Sequence, residues 1–90
     1  MTLRPDEFNA TGLDFLMTEV TTGLTFSKIA LSGGRDDPDK VQRNTWNARK
    51  AYDAVLRFRE RVQMSKAESE ALDSEMEQLR SDLLQLGEAL

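Results

Sequence analysis

From Leu72 onward the seam-forming apolar residues are Leu72, Met76, Leu79, Leu83, Leu86 and Leu90, at spacings of 4, 3, 4, 3 and 4. At 100° per residue this is a strip covering about 80° of an α-helix. A strand cannot use it, because strand faces repeat every second residue. A helix with so narrow a seam gains its stability by laying it against other helices. The chain is therefore expected to be all-α. Ser65-Lys66-Ala67-Glu68 precedes the seam and has the form of a capping box, in which serine and glutamate each satisfy a backbone N–H. The third helix is expected over 66–89. Leu84 is the one large apolar residue off its seam.

A second start lies at Asp37-Pro38-Asp39, with aspartate as N-cap, proline as first helical residue and a carboxylate favourable to the helix dipole. Gly33 or Gly34 can end whatever precedes it. From 38 to 64 the apolar arc is about 160° wide and holds Val41, Ala48, Ala51, Tyr52, Val55, Leu56, Phe58 and Val62. Its alanines would admit a second helix closely.

The first segment carries Leu13, Leu16, Met17, Val20, Leu24, Ser27 and Leu31 at helical spacing. Its threonines, Val20 and Gly23 are weak helix formers, and residues 24–31 also alternate like a strand. A lone hairpin beside two long helices has little to pair with, so a helix over 12–32 is expected. Residues 1–10 are taken as an N-terminal arm or short turn. Ninety residues suffice for one helical domain, residues 11–90. Short connections make this an up-down-up three-helix bundle.

Phe15, Phe26 and Ile29 point away from the main stripe of the first helix, and Phe8 would join them in a longer helix. A helix apolar on two sides lies between layers or carries an interface. The expected cover for this self-association face is a second copy, giving a helical homodimer; the alternative is the N-terminal arm, with Leu3 and Phe8, folded back.

Histidine and cysteine are both absent. That excludes imidazole general bases, thiol nucleophiles, disulfides and the usual zinc ligand sets. The serines and threonines have no histidine base, and Gly33-Gly34-Arg35 is too short to cradle a phosphate. Glu68, Glu70, Asp73, Glu75 and Glu77 include i,i+3 and i,i+4 pairs, but the core positions of that helix are leucine and methionine. Asp36-Asp37-Pro38-Asp39 lacks the glycine and distal glutamate of a calcium loop. No enzyme activity, metal or cofactor is expected.

Charge is segregated along the chain. Residues 1–39 hold 3 basic and 7 acidic side chains, residues 40–66 hold 8 and 2, and residues 67–90 hold 1 and 7. The second and third helices are thus oppositely charged neighbours. A turn near Ser65 would set Arg59 near Ala71 and Asp73, and Arg49 near Asp82. Arg43, Lys50, Arg57 and Arg61 share the back of the second helix, with Trp46 at the edge of the same strip. Arginine beside tryptophan suits a protein-docking ridge. It also suits nucleic acid, with cations for phosphates and a ring for stacking, although the net charge of −4 opposes long-range steering. Asn44, Arg59 and Asp14 are candidate buried polar residues, with Arg59 reaching Asp14 across the first two helices. The N-terminus has no secretory pattern, and Leu13–Leu31 is too polar for a membrane span, so a cytoplasmic location is expected. The function expected on this reading is a non-catalytic interaction module that self-associates through its first helix and docks a protein partner on the ridge.

Overall fold

The computed structural model describes residues 4–33 and 37–90, leaving aside the Pro5 side chain. Three α-helices run over Pro5–Ser32 (α1), Pro38–Phe58 (α2) and Lys66–Gln85 (α3), with a 3₁₀ turn at Arg59–Arg61. No strand occurs among the described residues, so the strand-like alternation at 24–31 has no structural counterpart. Thr21 and Thr25 show how α1 tolerates its threonines. Their hydroxyls donate to the carbonyls of Met17 and Thr21, one turn back, while the side chains face water.

α1 is the central rod. Against α2 it runs antiparallel, with Gly12 beside Val62, Gly23 beside Ala51 and Gly33 beside Val41. Against α3 it runs parallel, with Gly23 beside Leu79 and Ser27 beside Asp82. The topology is therefore up-down-up. Leu16, Val20 and Leu24 of α1 meet Ala48 and Val55 of α2 and Leu72, Met76, Leu79 and Leu83 of α3 in one buried cluster. The α3 seam is buried as its spacing requires, up to Leu83.

Three boundaries differ from expectation. α1 begins at Pro5, so residues 5–10 are helix rather than arm; Leu3 lies outside the described residues. Asn9 explains part of this extension. Its side-chain amide donates to the Gln63 carbonyl at 2.8 Å and accepts from the Gln63 N–H at 2.6 Å. That bidentate clamp ties the first turns of α1 to the segment joining α2 and α3. α2 ends at Phe58, not 64, and the chain is extended by Val62. α3 stops at Gln85, before 89, because Gly87 takes φ +90°. There Glu88 N–H donates to Leu83 and Gly87 N–H to Leu84, the paired bonds of a Schellman cap.

The two starts read as caps behave as such. Asp37 accepts from the Lys40 N–H at 3.0 Å. Ser65 accepts from Glu68 N–H at 3.1 Å while Glu68 accepts from Ser65 N–H at 2.8 Å.

Gly23 stands at the junction of all three helices. A Cβ there would sit 2.8 Å from a Leu79 methyl and 3.0 Å from the Ala51 Cβ. Leu79 is fully buried and Ala51 is fixed to its helix backbone, so neither can give way freely. Gly23→Val is expected to lower unfolding stability by about 1–3 kcal/mol despite valine's better helix propensity; urea denaturation followed by circular dichroism measures it, and an unchanged midpoint would refute the junction.

Candidate functional site

No group of three or more potential metal-ligating side chains comes together among the described residues, and none of their helices is long and apolar enough to cross a membrane. The features to weigh are the polar contacts inside the bundle and the surfaces outside it.

Of the candidate buried polar residues, none is deeply buried. Asn44 is half-buried and donates to its own helix, at the Lys40 carbonyl. Asp14 is exposed, and Arg59 does not reach it. Arg59 pairs with Asp73 at 2.5 Å, as the α2–α3 turn predicts. Arg49 departs from expectation. It meets Asp53 at 3.2 Å and Glu88 at 3.3 Å, and donates to the Ala89 carbonyl, rather than pairing with Asp82. The hydrogen-bonded Asp53 pushes the Arg49 guanidinium above its ordinary value; desolvation works against this, and the charges of Asp53 and Glu88 add to it.

Asp82 is the buried carboxylate. It faces inward beside the Leu79 and Leu83 seam, where the Ser27 hydroxyl donates to it at 2.7 Å and the Gln78 amide at 2.9 Å. Ser27 itself is fully buried. Its place in the apolar stripe of α1 was the available signal: a serine among core residues requires a polar partner from a facing helix.

The aromatic face of α1 is only partly bare. Phe26 packs against the core cluster and Ile29 is half-buried. Phe15 is 40% exposed and meets Phe58 of α2 edge-on, with ring centroids 5.2 Å apart. Phe8, two turns before Phe15 on the same side, is 53% exposed. The expectation of a face opposite the bundle therefore needs correction. α1 has neighbours at two different azimuths, and α2 covers the flank where Phe26 projects. Phe8 and Phe15 remain outside that cover, continued by Phe58 at 43%. The folded-back arm is not formed by Phe8, which stays in the helix.

Four of the five ridge residues lie on α2, and Arg61 lies in the 3₁₀ turn beyond its end. Arg43, Trp46, Lys50, Arg57 and Arg61 are all exposed. Lys50 Nζ lies 5.8 Å from the Trp46 ring centroid, and the Arg61 guanidinium 5.8 Å from that of Phe58. None of the four cations has a carboxylate within ion-pair distance among the described residues, in contrast to Arg49 and Arg59 on the α3 side of the hairpin. Two shallow grooves border the ridge. One, about 750 Å³, has Val41, Trp46 and Leu86 as apolar walls and Arg43 and Glu88 at its rim. The other, about 780 Å³, lies between Glu19, Thr22 and Phe26 of α1 and Lys50 and Arg57 of α2.

No protein-family model matches the chain, and no curated protein or solved structure matches it significantly.

Removing the Ser27 hydroxyl would leave a buried carboxylate with one donor fewer. Ser27→Ala is expected to cost about 1–3 kcal/mol. The double variant Ser27→Ala/Asp82→Leu should cost less than the sum of its singles, because it removes both polar partners together. A thermodynamic cycle from chemical denaturation tests this, and additive losses would contradict the coupling.

Proposed function

We propose that this protein is a non-catalytic helical interaction module that self-associates through the aromatic flank of α1 and carries a second docking surface on the α2 ridge. The observation that carries the reading is the exposure of Phe8, Phe15 and Phe58, each at least two-fifths open to solvent, with Phe15 and Phe58 in edge-on contact and Phe8 two turns before Phe15 on the same side of α1. Fully burying an exposed phenylalanine contributes about 1.5–3 kcal/mol, and a partner that covers the open part of each of these rings gains roughly half of that. A patch that lies on one side of α1 and can face its own image suits a twofold contact between copies.

Support also comes from what surrounds the patch. The outer face of α1 beyond it is polar, with Asp14, Thr18, Thr21 and Thr25 exposed. An apolar area bounded by such residues is the usual anatomy of an association surface.

Sedimentation equilibrium at about 50 µM, in high salt to suppress charged contacts, is expected to give the mass of a dimer. Phe8→Glu/Phe15→Glu is expected to shift it to the monomer while leaving the helical circular dichroism unchanged, since both side chains are exposed. A native chain that stays monomeric under those conditions would defeat the reading.

A further inference from the structure

We propose that a second copy of this chain lays the outer face of its α3 along the α2 ridge. This names the partner of the docking surface in the reading above and rests on that part of it.

Inside one chain, the oppositely charged α2 and α3 meet only by their inner flanks. Arg59 takes Asp73, and Arg49 takes Glu88 and Asp53. The Cα envelope measures 49 × 29 × 18 Å, so the bundle is thin and each helix keeps an outward face. On α2 that face holds Arg43, Lys50 and Arg57, seven residues apart, with Trp46 at 61% exposure beside them. On α3 it holds Glu70, Glu77 and Leu84, also seven apart, with Leu84 45% exposed. Positions seven apart are two helical turns, about 10 Å, and stack into a nearly straight row on either helix. The two rows therefore have the same repeat and opposite charge.

Both rows are also available. The ridge cations lack ion-pair partners among the described residues, and Glu77 lacks one too. Glu70 has only Lys66 at 4.0 Å, a pair of highly exposed side chains that contributes little. Glu19 lines the same groove as Lys50 and Arg57 but does not reach ion-pair distance.

An antiparallel arrangement pairs Arg57 with Glu70 and Lys50 with Glu77, and sets Leu84 between Arg43 and Trp46. It thus joins two exposed large apolar side chains: Trp46, already flanked by Lys50, and Leu84, the leucine off the α3 seam. Arg61 falls beyond Glu70, level with Lys66, and keeps its place over Phe58. Charge sets the register, and the Trp46–Leu84 contact supplies the apolar anchor. The donor face and the acceptor face differ, so the contact is heterologous and can propagate from copy to copy.

Charge-swapped pairs of the intact chain test this. Sedimentation velocity at about 50 mM salt is expected to show association beyond that at about 500 mM, with an apparent Kd at least about tenfold tighter. Trp46, the only tryptophan, should shift its emission to the blue as the association forms. Lys50→Glu/Arg57→Glu and Glu70→Lys/Glu77→Lys should each lose the salt-dependent association while retaining native helical content. An equimolar mixture of the two should regain it, because each acidic row then meets a basic one.

The association at high salt reports the α1 flank, so its loss and the loss of the salt-dependent part are separate outcomes. Association indifferent to salt and to both variants, or a mixture that fails to regain it, would overturn the inference. So would Trp46 quenching by oligothymidylate with a steep salt dependence, abolished by Lys50→Glu/Arg57→Glu, which would assign the ridge to nucleic acid.

Discussion

The close approach of three helices at Gly23 is the constraint on which the structure depends. Gly23 lets α1 run within van der Waals contact of Ala51 on one side and Leu79 on the other. A longer side chain would force one neighbour away. With both neighbours close, Leu16, Val20 and Leu24 are buried against two helices at once. The residue looks like a defect when helix propensity alone is considered. Its value lies in removing a Cβ where two other helices need the space.

That central position of α1 also accounts for the distribution of its aromatic residues. A helix on the edge of a layer needs one apolar stripe. A helix touching two others needs a wider arc, and its flanks serve the outer rims of both contacts. Phe26 and Phe15 lie on the α2 rim, where one is drawn into the core and the other is left half open against Phe58. The Asn9–Gln63 clamp ties the first turns of α1 to the segment joining α2 and α3. The chain thus closes its α1–α2 side as far as the short α2 reaches, and Phe8 projects beyond it.

Polar groups are placed with similar economy. The one buried carboxylate among the described residues, Asp82, is bridged between helices by Ser27 and secured within its own helix by Gln78. No described buried side-chain polar atom is without a partner. A hydrogen-bonded pair of this kind discriminates between sliding positions of α1 and α3 more sharply than leucine packing does, since a shift of one turn would bury Asp82 against apolar neighbours. The surface ion pairs of Arg49 and Arg59 bias the α2–α3 hairpin more weakly, because they remain in contact with water.

By itself, the amino-acid sequence determined the all-helical class, the starts of α2 and α3, the narrow α3 seam, the α2–α3 alignment that brings Arg59 to Asp73, and the exposed cation row. These follow from local caps, periodicity and short-range chain geometry, which act within a few turns. Only the tertiary structure decided that Ser27 and Asp82 meet, that Arg49 prefers Glu88 over Asp82, that α1 extends back to Pro5, and that α2 shields Phe26. Each of these depends on contacts between segments far apart in the chain. Its existence depends on the azimuth at which two helices face each other, a quantity that no periodicity within a single helix contains.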